Sequence, residues 1–210
     1  KEYINDEDTI VSLCGDTPLI KEETLKKLFD YHIENEYTAT VLTTKVENPT
    51  GYGRVIRDEN GDLLKIVEQK DGNAEELAVN EINSGIYCFK GKMLRESLDL
   101  LDNNNAQGEY YLTDTMKILR DKGFKVGAFN GSTIEELMGV NSRLELSKSE
   151  TLMRNRINEF HLLNGVTIID PAATYIEADV QIGKDTIVYP GAMLHGNTKI
   201  GNECIIGMNT

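Results

Sequence analysis

The 210-residue chain carries 22 basic and 35 acidic side chains, a formal charge of −13, and 40% hydrophobic residues. That charge opposes non-specific binding to nucleic acid or to an anionic membrane, and no apolar run reaches the roughly 20 residues that a spanning helix needs. A mean hydropathy of −0.37 suits a packed body of one ordinary domain or two small ones.

The chain opens on the polar Lys1-Glu2-Tyr3-Ile4-Asn5-Asp6, without an initiator Met and without the apolar run expected of a secretory leader in these residues. It is expected to begin partway into a larger protein. An apolar run, Ile10 to Cys14, stops at Gly15-Asp16 and reads as a short buried strand. Lys21 to Asn35 places Leu25, Leu28, Phe29 and Ile33 at helical spacing, with Glu22 and Glu23 in the first turn where the helix dipole favours them. Tyr37 to Val46 is rich in Thr and Val and predicts a strand. Asp58-Glu59-Asn60-Gly61 between two apolar runs predicts a hairpin over one sheet edge. A second short strand is expected at Asn83–Phe89, helices at Lys92–Leu101 and Leu112–Lys122, and a further strand at Phe124–Phe129. This alternation is an α/β layer pattern.

Ser142 to Leu163 then reads as one long helix, with Leu144, Leu146, Leu152, Met153, Ile157, Phe160 and Leu163 among charges and Gly165 ending it. From Ile176 an aliphatic residue recurs every six positions: Ile182, Val188, Leu194, Ile200 and Ile206 follow. Gly183, Gly201 and Gly207 come directly after three of them. A hexapeptide period is the signature of a left-handed parallel β-helix, and six hexapeptides make two coils of it. Three regions are expected: an α/β domain over residues 1–141, a linker helix over 142–164, and β-helix coils over 165–210, with the repeat pattern still running at Thr210.

The usual catalytic signatures are missing. GxGxxG does not occur. Gly85 to Lys92 lacks Walker spacing and has Met93 where a Ser or Thr belongs. His32, His161 and His195 stand alone without ligand spacing and read as packed or solvated. Cys14, Cys88 and Cys204 form no CxxC; they read as small buried hydrophobes, with free thiols suited to the reducing cytoplasm. What remains is a set of polar residues at strand ends: Asp16, the Gly51-Tyr52-Gly53-Arg54 run, Glu68, Asn83, and Asn141 before the long helix. Each taken singly reads as a turn residue or helix cap. Together they occupy the positions where open α/β sheets bind ligands.

In order, "CGDTPLI", "NPTGYGRVIR", "IVEQKD", "EINSGIYCF", "NNNAQGEYYLTD" and "GVNSR" closely resemble the N-acetylglucosamine-1-phosphate uridyltransferase domain of the bacterial bifunctional GlmU family. The helix and hexapeptides resemble that family's linker and the start of its acetyltransferase domain. The resemblance covers essentially the whole chain and implies a Rossmann-like nucleotidyltransferase fold. It also implies that Asp16 ligates Mg²⁺ and that Asn141 joins it on the ion and contacts the nucleotide sugar. Gly53, Glu68 and Asn83 would hold the N-acetylglucosaminyl group. Gly15 joins the substrate site, and Cys14, in a slot where some members carry Tyr, would offer only its backbone. No role is assigned to Glu109 or Tyr110.

The implied reaction joins UTP and N-acetylglucosamine-1-phosphate into UDP-N-acetylglucosamine and pyrophosphate. The bifunctional family also acetylates glucosamine-1-phosphate with acetyl-CoA and assembles as a homotrimer. The basic Gly-rich loop that grips the triphosphate, and the uracil-binding segment, match nothing between Lys1 and Thr210. The family pattern places them before Lys1 and the acetyl-transfer sites after Thr210, so residues 1–210 alone are expected to be inactive. The Ile10–Leu13 strand, expected in a parallel sheet, would lack a central neighbour. Two alternatives remain: a nucleotidyltransferase for glucose-1-phosphate, against which "NNNAQGEYYLTD" argues, and a non-catalytic trimerising or ligand-binding module.

Overall fold

A computed structural model describes residues 3–210, which divide into two compact units between Gly139 and Val140. In the first unit the elements are β1 (Thr9–Ser12), α1 (Glu22–Glu34), β2 (Ala39–Lys45), β3 (Arg54–Arg57), β4 (Leu63–Val67), α2 (Ala74–Leu77), β5 (Glu81–Lys90), α3 (Gly91–Leu98), α4 (Asp114–Asp121) and β6 (Val126–Asn130). The sheet runs β4-β3-β5-β2-β6, and β1 also pairs with β5. Only β2 and β6 run parallel; β5 is antiparallel to β1, β2 and β3.

Alternation along β2 and β5 feeds two cores, one on each face of the sheet. Ala39, Val41, Tyr87 and Phe89 pack with Leu94, Met116 and Leu119 on one face. Leu42, Ile86 and Cys88 pack with Leu28 and Leu137 on the other. Successive strand side chains point to opposite faces, so a strand covered on both sides is apolar throughout.

The expected hairpin is present as β3–β4 at the sheet edge. Its turn closes by Gly61 N donating to Asp58 O at 2.9 Å, while Asp58 Oδ1 accepts from Asn60 N and Asp62 N. Arg57 on β3 forks onto Glu81 of β5 through Nε (2.8 Å) and Nη2 (2.7 Å), and the Thr43 hydroxyl of β2 donates to the same carboxylate at 2.6 Å. Burial pushes the Glu81 pKa up, but the Arg57 and Thr43 hydrogen bonds outweigh it and hold the group below the ordinary carboxylate range. Helix α1 has no side-chain cap of its own. Buried Glu136 supplies one from a distant loop, accepting from the Thr24 hydroxyl at 2.6 Å and the Lys21 N–H at 3.4 Å. A carboxylate there also complements the positive end of the helix dipole.

Several sequence expectations need correction. Strand β1 is only half-buried, and its partner is antiparallel β5, because the sheet is mixed and not parallel. Helix α1 buries Thr24, Leu28 and His32, whereas Phe29 and Ile33 are exposed. The buried stripe follows i, i+4, i+8, and the His32 ring is admitted because Nδ1 meets the Thr40 hydroxyl at 2.9 Å. The short strand expected at Asn83 is the ten-residue β5 at the centre of the sheet. Cys88 is buried, while Cys14 and Cys204 are only partly so; all three thiols are free.

The second unit opens on α5 (Arg143–Leu163), capped by Ser142 Oγ accepting from Glu145 N at 3.2 Å. The strands β7 (Thr167–Ile168), β8 (Tyr175–Ile176), β9 (Gln181–Ile182), β10 (Ile187–Val188), β11 (Met193–Leu194), β12 (Lys199–Ile200) and β13 (Ile205–Ile206) follow. They stack into three parallel ladders, β7-β10-β13, β8-β11 and β9-β12, the three faces of a β-helix coil. Each aliphatic residue of the six-residue period is the second residue of its strand and joins one core with Val166, Ile168 and Val180. Buried Thr186 ties successive coils, donating to Gly201 O at 2.9 Å and accepting from Cys204 N at 3.1 Å.

Within this unit the apolar residues of α5 do not form a continuous buried stripe. Leu144, Leu146, Phe160 and Leu163 are exposed, and the fully buried side chains are Ser149, Asn158 and His161. Asn158 is buried because its Nδ2 donates to the carbonyls of Pro171 (2.8 Å) and Thr174 (3.1 Å), which pins the helix to the first coil. Among the described residues no helix is long and apolar enough to cross a membrane.

Candidate active site

A cavity of about 390 Å³ in the first unit is lined by the segment after β1, the end of β4, the middle of β5 and the loop before α4. Cys14, Glu68, Asn83, Gly85, Tyr87 and Thr113 are among its walls. The chain turns sharply after β1: Cys14 O accepts from the Thr17 hydroxyl at 3.0 Å and from Thr17 N at 3.5 Å. Gly15 and Asp16 form the exposed tip of that turn.

Three of the sequence-predicted residues meet at one point. A Cβ placed on Gly53 would lie 3.3 Å from each Glu68 carboxylate oxygen and 3.4 Å from Asn83 Cβ. Gly53 O also accepts from Asn83 N at 2.9 Å. A side chain at 53 would therefore displace the carboxylate, and the missing Cβ lets three chain segments converge. Burial raises the Glu68 pKa; the Thr113 hydroxyl opposes the shift, and Asp71 and Asp114 add to it. Burial, then the Asp16 charge, raises the Cys14 thiol, so this thiol stays protonated and is no nucleophile.

Strand β5 is bulged beside this point. Its register against β2 slips by two residues between the Val41–Tyr87 and Thr43–Asn83 pairs, and Gly85 takes φ +77°. Bulges re-aim side chains near functional sites. Here Asn83 Oδ1 accepts from Gly85 N and from the Tyr87 hydroxyl, each at 3.0 Å. The Cys14 Sγ–H, expected from sequence to matter only through its backbone, donates to Gly85 O at 3.4 Å.

The "NNNAQGEYYLTD" run forms the loop over this cavity. Asn105 Oδ1 accepts from the N–H groups of Gln107 (3.1 Å) and Glu109 (3.2 Å), folding the loop on itself. Asp71 Oδ1 accepts from Ala106 N at 2.9 Å, and Lys70 Nζ donates to Gln107 Oε1 at 2.8 Å, anchoring it beyond β4. Tyr110 emerges exposed at the cavity rim. Gln69 performs a similar task for the "PTGYGR" loop: its Oε1 accepts from Gly51 N at 2.9 Å and from buried Arg54 Nη2 at 2.8 Å.

Asp16 belongs to the first unit and Asn141 to the second, directly before the Ser142 cap; the Asn141 N–H donates to Glu145 Oε2 at 2.7 Å. Neither side chain is consumed by a hydrogen bond among the described residues, and both offer hard oxygens. No cluster of three or more His, Cys, Asp or Glu side chains able to hold a metal occurs among those residues. Each of the two residues taken by itself offers the kind of oxygen that a hard divalent cation accepts, and such an ion, keeping waters and substrate phosphates, needs no such cluster.

Sequence reasoning missed Thr113 and Gln69, whose parts depend on contacts outside their own segments, and Tyr87, whose hydroxyl reaches Asn83 across the β5 bulge. Gly85 could have been found, since an isolated glycine inside a strand pattern is a bulge signal.

Residues 1–134 match the family model described as nucleotidyl transferase, and residues 175–210 match the bacterial transferase hexapeptide, six repeats. The chain is 78% identical over all 210 residues to a bifunctional protein GlmU of Clostridioides difficile strain 630. It is 53% identical over its whole length to a protein of the same name from Caldanaerobacter subterraneus subsp. tengcongensis. It covers 46% of each, and so spans about half the length of the curated relatives it matches. A structure described as a glucose-1-phosphate thymidylyltransferase of Bacillus anthracis aligns with TM-score 0.54 and 19% identity, over 73% of this chain and 57% of that one. An apo UDP-glucose pyrophosphorylase aligns with TM-score 0.51 and 16% identity, over 71% and 56%. Likeness at that identity shows the shared fold alone. The family model, by contrast, matches more than half of the chain, and the chain belongs to the nucleotidyl transferase family.

Proposed function

We propose that this chain serves the transfer of UMP from UTP to N-acetylglucosamine-1-phosphate, giving UDP-N-acetylglucosamine and pyrophosphate. The observation that carries the reading is the close approach of Gly53 to Glu68 and Asn83, two walls of the cavity that Tyr110 to Thr113 also line. The 78% identity to a bifunctional GlmU protein supports it.

In this reading the sugar lies against Gly53. Glu68 accepts from a sugar hydroxyl and Asn83 donates to an acceptor oxygen. The phosphate oxygen of the sugar attacks the α-phosphorus of UTP in line, and pyrophosphate leaves without a covalent protein intermediate. The chain's contribution to that step is positioning. Asp16 and Asn141 would hold Mg²⁺, which when bound neutralises phosphate charge. Acetylation of glucosamine-1-phosphate by acetyl-CoA, a homotrimeric state and a cytoplasmic location belong to the same proposal for the whole protein.

The test is pyrophosphate release by the full-length protein with UTP, Mg²⁺ and either N-acetylglucosamine-1-phosphate or glucose-1-phosphate. Preference for the N-acetylated substrate is expected, and equal or faster turnover of glucose-1-phosphate would reject the substrate assignment. Sedimentation as a clean monomer would reject the trimer.

A further inference from the structure

We propose that Tyr87 is a positioning residue that fixes Asn83 as a pure hydrogen-bond donor toward the cavity, so that the pocket selects a ligand presenting a carbonyl-type acceptor there. The inference rests on the sugar-phosphate reading above and names how that site tells one sugar from another.

The orientation of the Asn83 amide follows from its neighbours. Gly85 N can only donate, so the amide atom facing it at 3.0 Å must be Oδ1. The Tyr87 hydroxyl, 3.0 Å from the same oxygen, must then donate as well. Both lone pairs of Oδ1 are filled. Among the described residues nothing accepts from Asn83 Nδ2, and Asn83 lines the cavity. Tyr87 is 2% exposed and its ring stacks on Phe89 with centroids 5.6 Å apart, which holds the ring in place with its hydroxyl on Oδ1.

The bulge is held in place from its other side. A Cβ at Gly85 would lie 2.5 Å from Cys14 Sγ, and the left-handed φ there disfavours any side chain. The pocket therefore offers a donor from Asn83 and, across Gly53, an acceptor from Glu68. A hydroxyl can rotate to meet either group, but an acetamido carbonyl meets only the donor. Loss of the Tyr87 hydroxyl would leave Gly85 N as the single restraint on the amide.

The experiment compares wild type and Tyr87→Phe of the full chain in steady state with UTP and each sugar phosphate. The expected result is a rise of about tenfold in KM for N-acetylglucosamine-1-phosphate, with KM for UTP unchanged and a weaker preference over glucose-1-phosphate. In an Asn83→Ala background the same substitution should add nothing. Asn83→Asp keeps the acceptor oxygen for Gly85 and Tyr87 but removes the donor; it should lose sugar-phosphate binding with an unchanged melting temperature. An unchanged sugar KM in Tyr87→Phe, an equal rise for UTP, an undiminished effect in the Asn83→Ala background, or retained binding in Asn83→Asp would each overturn the inference. Normal wild-type turnover alongside any of these overturns it alone, whereas no wild-type turnover of either sugar phosphate overturns the functional reading and this inference with it.

Discussion

The two units solve the same packing problem by opposite routes. In the coil unit each short strand pairs with one 18 or 20 residues away, and every inward aliphatic meets its counterpart in the next coil. Its stability is close to a sum of neighbour terms. In the α/β unit β5 gathers β1, β2 and β3 from across the sequence, and the cavity wall draws on segments from Ser12 to Thr113. Repetition makes the coil unit legible and locally fragile. Convergence makes the α/β unit cooperative and able to build a site.

The sharpest break in that comparison is Arg57→Leu. It leaves the Glu81 carboxylate buried without its fork across β3 and β5. A loss of about 3–5 kcal/mol is expected. In denaturant unfolding it should lower the α/β transition as a whole, while amide exchange in the coils stays as in wild type. Equal loss of protection in both units would erase the distinction drawn here.

A pH scan makes the next, smaller perturbation. Burial, then the Lys90 charge, lowers the pKa of His32 from 6.5 to about 4. The folded state keeps this ring neutral while the unfolded chain takes up a proton. Its contribution is therefore intact above pH 6.5 and is lost as pH falls toward 4, by about 3 kcal/mol in all. Thermal melts of wild type and His32→Gln across this window should diverge, with the variant the less pH-sensitive of the two. Parallel curves would show that His32 is not buried neutral.

Val188→Ala probes the other unit. Val188 is fully buried in the coil core, and truncation should cost about 2 kcal/mol. Faster exchange should be confined to the coil strands, because each coil leans only on its neighbours. The mildest test touches the site and not the fold. Gly53→Ala brings a methyl group to 3.3 Å from both Glu68 oxygens, which must give by a few tenths of an ångström. Sugar-phosphate affinity should fall about tenfold while stability changes by less than about 1 kcal/mol. Calorimetric titration and a melt of the same sample separate the two effects.

How much could be foreseen differs between the units in the same way. The aliphatic residue of each hexapeptide could be named one by one from Ile176 to Ile206, and all six lie in the strands, because the period is written locally. The β3–β4 hairpin and the Ser142–Leu163 helix were equally plain, since turn and cap residues sit within or beside each segment. The helix faces were not. In α1 and α5 the buried side chains include His32, Asn158 and His161, and apolar Phe29 and Phe160 are left outside. His32 and Asn158 are admitted to the interior by Thr40 and by the Pro171 and Thr174 carbonyls, which are nowhere in the helix's own sequence.

At the site, Gly53, Glu68 and Asn83 were each legible as polar or glycine positions at strand ends, through their motifs. That they touch was decided by the sheet: β3 pairs with both β4 and β5, which brings residues 15 positions apart to one spot. The sequence alone thus determined the periodic elements, the turns and the residue types offered to a ligand, because those depend on neighbours a few positions away. Tertiary structure alone decided the antiparallel setting of β1, the two-residue slip in β5, and the Cys14 Sγ–H bond to Gly85 O that braces it. The physical reason is that strand register and buried hydrogen bonds are settled between segments, where every donor must find an acceptor that its own stretch of chain does not contain.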